Sequence, residues 1–281
     1  MIQKVFLVDA LADGPFSGAP TRVIFLTSPI ERFKMASLAA ELGAQETVYV
    51  LPHSQAYILR FFTPQAEIKL GVQGAMAAAH LIYDIGIRPP DEPLPFLTQE
   101  GEARAAFIPP DACSLTLDAE PASPLRDEDI RLAAPLLDLS PRQIAWGLGL
   151  PGKTLILAVD DYQLLKRLEP NLANITREGL GLGGVAVTAL AKRGDCDYYL
   201  RSFRPKLGLG EESVSGGVNR SLAPHWGKLL GKTRLTARQL SRRGGLMTVE
   251  IQSPDRVVLQ GRSTTVLRAD ILLEDLEARI F

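Results

Sequence analysis

A lone carboxylate, Glu46, sits where a helical pattern gives way to a strand pattern. Upstream, RFKMASLAAEL (32–42) spaces its apolar residues at helical intervals and stops at Gly43, which suits a left-handed C-cap. Downstream, Thr47, Val48, Tyr49 and Val50 are β-branched or aromatic and predict a short buried strand. Glu46 is therefore either a solvated residue at a strand edge or a charge held in a pocket. In a pocket that closes, a carboxylate loses solvation and its affinity for a proton rises. It can then take a proton from one carbon and return it to another. Two further stretches carry chemistry in their backbone. LGVQGAM (70–76) contains Gln73, Gly74 and Ala75, and ESVSGGV (212–218) contains Ser215, Gly216 and Gly217. Each brings small residues to a predicted helix start, where unpaired N–H groups favour an anion such as a substrate carboxylate. Packing or plain capping explains most such starts when they occur singly.

The bulk properties narrow the partners. The 281 residues are 46% hydrophobic and 22% charged, enough for a sizeable core. A net charge of −1 calls for neither nucleic acid nor an anionic membrane. The densest basic run, KTRLTARQLSRRGG (232–245), reads as the wet face of a helix. Cys113 and Cys196 form no metal or redox motif. With no apolar run long enough to span a bilayer and no recognisable signal peptide, a reduced cytoplasm is the expected compartment.

The elements that must position these groups occur twice. LRFFTP (59–64) and LRSFRP (200–205) share four of six residues at an offset of 141, almost half the chain. The same offset lays ETVYV (46–50) on VTALA (187–191), so that Glu46 meets Val187. With one inserted residue, VQGAMAAAHLIYD (72–84) falls on VSGGVNRSLAPHW (214–226), and Gly74 meets Gly216. In both copies the order is strand, strand, a loop with acidic residues, then a glycine-containing turn opening a helix. The expected fold is therefore α+β: two pseudo-symmetric halves, 1–118 and 119–281, with the last segment able to pair back onto the first half. A site built from both copies would lie in the cleft between them.

VDALADGPFSGAPTRVIFL (8–26), ETVYV, RFFTPQAEIKLGVQGAMAAAHLI (60–82) and RSFRPKLGLGEESVSGGVNRSLAPHW (201–226) resemble the PhzF-like, phenazine-biosynthesis isomerase family. RRGGLMTVEI and VVLQGRSTTV resemble its closing strands. The resemblance implies a diaminopimelate epimerase-like fold, each half a sheet wrapped around a central helix, and a homodimer. It implies a cofactor-free enzyme, with no metal, that moves a proton on a small carboxylated substrate. The family's general acid/base falls on Glu46.

Other motif positions depart from the family pattern. Gln73 replaces a histidine and cannot shuttle a proton at neutral pH. Glu212 replaces an aspartate, Gly217 a serine, and Ala19 the asparagine of a G-N-P pattern. Gly71 and Ser215 stand at or beside the helix starts where a two-thiol epimerase needs cysteines, which excludes that mechanism. A one-base isomerisation through Glu46 remains, with Glu212 as a neighbouring acid or orienting group. The alternative is a catalytically silent small-molecule binder or scaffold of the same fold. His80 and His225 are expected to be packing residues and His53 a loop residue. Asp9 is expected to hold a turn, and Arg60 and Arg201 to make interstrand or interdomain pairs.

Overall fold

The structure, a computed structural model, describes residues 2–176, 181–192 and 194–272. It divides into two compact units, one formed by residues 1–117 with 260–281 and the other by 118–259. The sequence reading placed the change at 118/119 and let the last segment pair back. Residues 273–281 of that segment lie outside the described residues.

The first unit opens with β1 (Ile2–Ala12), β2 (Ala19–Phe25), α1 (Arg32–Leu42), β3 (Glu46–His53) and β4 (Ala56–Phe62). A two-residue β5 (Glu67–Ile68) precedes α2 (Val72–Asp84), and β6 (Leu94–Thr98), β7 (Gly101–Ile108) and β8 (Ala112–Asp118) follow. Strands run in the order β1-β2-β3-β4-β6-β7-β8. The C-terminal strand β16 (Arg256–Leu272) lies antiparallel to β1, with Asp9 opposite Thr264. Helix α2 packs on β1, β2, β3 and β7, so the sheet wraps it. Its sequence fits that place, since Ala75 to Ala79 are all small or flexible and fully buried. On the opposite face, Met35, Leu38 and Ala39 of α1 pack with Ile24, Tyr49 and Phe62, and the Tyr49 hydroxyl donates to the Met35 carbonyl at 2.7 Å. Gly43 caps α1 in the left-handed region, as its place after Leu42 predicts. His53 closes β3 rather than lying in a loop.

The second unit contains β9 (Ser123–Pro124), α3 (Asp127–Ala133), β10 (Ile144–Leu150), β11 (Thr154–Val159), α4 (Tyr162–Arg167) and α5 (Leu172–Thr176). Then come β12 (Gly184–Leu190), β13 (Tyr198–Phe203), α6 (Gly216–Leu230), β14 (Arg234–Gln239) and β15 (Gly245–Ser253). Helix α6 packs on β14 and β15, while α4 covers β11, β12 and β13 over a core that includes Leu157, Val187, Tyr199 and Phe203. The basic run 232–245 corrects the expectation of a helix. It forms β14, because RLTARQ alternates and buries Leu235, Ala237 and Gln239 on one face. Among the described residues no helix is long and apolar enough to cross a membrane.

The repeat holds, with one correction to its register. Arg60 pairs with Glu67 at 2.5 Å and lies over the Phe62 ring; Arg201 pairs with Glu211 at 2.6 Å and lies over Phe203. In the first unit Phe62 stands opposite Thr47, whereas in the second its counterpart Phe203 stands opposite Val185. The structural counterpart of Glu46 is therefore Gly184, not Val187. The cause is the hairpin: Ser54 and Gln55 alone join β3 to β4, but residues 191–197 join β12 to β13. An ungapped match from the β13 side thus runs three residues too far along β12.

Arg201 also donates to the carbonyls of Leu165 and Leu168 at 3.1 and 2.5 Å, tying β13 to α4. Arg201→Ala would remove a charged donor from one carboxylate and two carbonyls, and is expected to lower unfolding stability by about 3 kcal/mol. Chemical denaturation of the two proteins checks this.

Candidate active site

Glu46 is the first residue of β3, beside Thr21 of β2, and only 5% of it is exposed. Its Oε1 accepts the Gly74 N–H at 2.8 Å. Gly74 is the third residue of α2, so this N–H is one of the donors that a helix leaves unpaired at its start. The N-cap residue, Gly71, has no side chain to satisfy it. The carboxylate reaches the helix only because two glycines make room. A Cβ at Gly71 or at Gly74 would overlap the Glu46 carboxylate, and would stand 2.8 or 2.9 Å from the Phe61 ring. Gly71, which the sequence marks only as a missing thiol, is thus the residue that admits Glu46.

Gly74 was expected to offer its N–H to a substrate; here that N–H serves Glu46. Ala75 has a fully buried side chain, and its N–H closes the first helical turn on the Gly71 carbonyl at 2.9 Å, which makes it a packing residue. Gln73 is half-buried in the same turn. Asp9, 1% exposed, accepts the Phe16 N–H at 2.9 Å and so holds the turn after β1.

In the second unit Glu212 is 4% exposed and tightly held. Its Oε2 accepts the Ser202 hydroxyl at 2.6 Å, and Nη1 of Arg204 lies 3.9 Å from Oε1. Its backbone N–H donates to the Ser202 carbonyl at 2.9 Å, and its carbonyl accepts from Gln239 at 3.2 Å. Ser215 is the N-cap of α6 and 1% exposed, yet its hydroxyl makes no hydrogen bond. Its carbonyl accepts from Asn219, whose other amide atom accepts the Tyr198 hydroxyl at 2.6 Å. Full burial raises the proton affinity of Tyr198, so this hydroxyl stays a donor. Gly216 is buried and begins the helix, while a Cβ at Gly217 would meet nothing within 4 Å. A serine at 217 therefore has room, and its loss is a change of surface chemistry rather than of packing.

Sequence reasoning missed Ser202, Arg204 and Gln239. The first two could have been found where the repeat breaks: Ser202 stands where the first copy has Phe61, and Arg204 where it has Thr63. The stem of Arg204 lies against Gly184, the position that corresponds to Glu46, where a Cβ would come within 2.9 Å of the Arg204 Cγ. Burial pushes the Cys113 thiol up to about 12 and the Cys196 thiol up to about 11. Neither is a thiolate at neutral pH.

Comparison with known proteins places the chain. Residues 8–269 match the phenazine biosynthesis-like protein family. An uncharacterised isomerase of Halalkalibacterium halodurans is 29% identical over 97% of this chain and 100% of its own length. Another from Pseudomonas aeruginosa is 32% identical over 96% and 98%. The crystal structure of a PhzF-family phenazine biosynthesis protein from Enterococcus faecalis superposes with a TM-score of 0.83 at 28% identity, covering 97% of this chain and 100% of that one. The fold is thus that of the PhzF and epimerase-like isomerases. The chain belongs to the phenazine biosynthesis-like family and is an isomerase.

Two glycine substitutions separate close approach from open space. Gly71→Ala is expected to displace Glu46, abolish turnover and cost about 1–3 kcal/mol of stability. Gly217→Ser is expected to change stability by no more than about 0.5 kcal/mol. Thermal unfolding of both variants, with a turnover assay of the first, is the check.

Proposed function

We propose that Glu46 is the general acid/base of a cofactor-independent proton shift on a small unsaturated or amino-substituted carboxylic acid, in a biosynthetic pathway. The observation that carries this reading is the seat of Glu46: a 5% exposed carboxylate that accepts a helix-start N–H, in space that two glycines leave open. Capping α2 would explain the hydrogen bond alone. Against that stands the second unit, where Gly184 occupies the strand position that corresponds to Glu46. The architecture does not need an acid there.

In the proposed step the substrate C–H bond breaks, its proton passes to the Glu46 carboxylate, and the electron pair spreads into the adjacent unsaturation. The protonated Glu46 then returns the proton to a second carbon. Atoms and charge balance without an outside reagent. The start of α6 supports a carboxylate-bearing substrate, because the buried Ser215 hydroxyl lacks a partner and the N–H groups of a helix start favour an anion. Glu212, fixed by Ser202 and beside Arg204, acts as an orienting acceptor.

Glu46→Gln keeps an acceptor for the Gly74 N–H, so its fold is expected to be retained. Incubated in D2O with small amino- and hydroxy-substituted cyclic carboxylic acids, the wild type is expected to incorporate deuterium or form product isomers. The variant is expected to do so some 10²–10⁴-fold more slowly. Mass spectrometry and product analysis in the same runs cover a shielded base that returns the same proton. Undiminished exchange by the variant removes Glu46 from the mechanism. Binding of the acids without exchange or isomerisation by the wild type favours the silent binder.

A further inference from the structure

The cation beside Glu212 has donors that no described residue uses. Arg204 directly follows β13 and precedes a short helical turn, Pro205–Leu207. Its backbone is fixed: its N–H donates to the Leu209 carbonyl at 3.2 Å, and its carbonyl accepts the Leu209 N–H at 3.3 Å. Its stem lies against Gly184, the position that corresponds to Glu46. A methionine would fill that space as well, so packing does not account for the guanidinium.

At the charged end the nearest partner is Oε1 of Glu212, 3.9 Å from Nη1. That distance is an ion pair but lies beyond the reach of a hydrogen bond. Glu212 is held back from closing the gap, because its Oε2 takes the Ser202 hydroxyl at 2.6 Å and its backbone is tied to Ser202 and Gln239. Nε of Arg204 is sealed from solvent without an acceptor, which excludes it from contact with a ligand. The side chain is nonetheless 30% exposed, and neither Nη group is sealed. The open part of Arg204 is thus its Nη1–Nη2 edge, a planar fork that matches the two oxygens of a carboxylate. Glu212 supplies a counter-charge that keeps the guanidinium in place and takes none of these donors.

We propose that Arg204 determines specificity: its Nη fork receives a second carboxylate of the substrate, which makes the substrate a dicarboxylic acid. The inference rests on the reading above that the start of α6 holds one substrate carboxylate. That start is near, since its N-cap Ser215 is three residues after Glu212, a span of at most about 11 Å. A monocarboxylate leaves the Arg204–Glu212 pair as it stands and gains nothing from the fork.

The test is calorimetric binding of matched acids to the full chain at neutral pH: phthalate against benzoate, and glutaconate against crotonate. At least one dicarboxylate is expected to bind about tenfold more tightly than its monocarboxylate, ~1.4 kcal/mol. Arg204→Met keeps a stem over Gly184 and removes the fork. It is expected to abolish that preference and to leave monocarboxylate affinity within about twofold. Arg204→Lys keeps both stem and charge, and is expected to retain only part of the preference because a point charge lacks the fork. Binding is read apart from proton transfer. Preference lost in Arg204→Met, with undiminished exchange by Glu46→Gln, removes the base and keeps the role of Arg204; the converse result removes Arg204 and keeps the base. The inference is overturned by no preference for either dicarboxylate, or by a preference that survives in Arg204→Met. An equal loss of mono- and dicarboxylate binding in that variant also overturns it, because it marks a structural role.

Discussion

The first unit is organised around the meeting of the Glu46 carboxylate with the exposed amide of Gly74. A helix start leaves donors that must find partners, and α2 is wrapped by its sheet where water cannot serve all of them. Bringing a strand carboxylate to that start satisfies one donor and places a charge against partial positive charge. The constraint spreads outward from there. Gly71 and Gly74 must lack side chains with the edge atoms of Phe61 close by, and β3 must begin at residue 46 to aim the carboxylate at the turn. An acid held in this way is nearly enclosed.

The second unit shows how the same framework behaves without that charge. Both units keep an arginine on the returning strand, paired with a glutamate and laid over a phenylalanine two residues on. That device fastens the strand to the segment before the helix and is indifferent to what the helix start does. At the start itself the units diverge. The second has Gly184 where the first has Glu46, fills the adjoining space with the Arg204 stem, and fixes Glu212 from the other side through Ser202. Conservation of the fastening with divergence of the starts is what a duplicated framework with specialised halves requires.

Much of this was legible in the residues. The helix 32–42 with its Gly43 cap, the strand after Glu46, the buried small-residue helix and the fold of the two halves follow from local chemistry and from motif resemblance. The failures share a cause. The basic run 232–245 has the composition of a wet helix, and only its burial on alternate residues reveals a strand. The counterpart of Glu46 was misplaced because a match by offset cannot see that the second hairpin, from Gly184 to Phe203, is three residues longer than the first, from Glu46 to Phe62. Ala75 looked like a donor because spacing does not say which amides the helix itself consumes. Gly71 looked like a loss because the volume it vacates is filled by a residue 25 positions earlier in the chain.

The chemistry of the α2 start also limits the stereochemistry open to a proton shift. A two-base mechanism needs titrating groups on opposite faces of the substrate carbon. At this start Gln73 does not titrate near neutrality and Gly71 and Gly74 have no side chains; elsewhere, burial holds the thiols of Cys113 and Cys196 protonated. Under the proposed reading, Glu46 is the group at this start that accepts and returns the proton. A proton removed and restored by one carboxylate travels along one face of the substrate. The reaction that suits such a site is a suprafacial shift between two carbons, in preference to inversion at one.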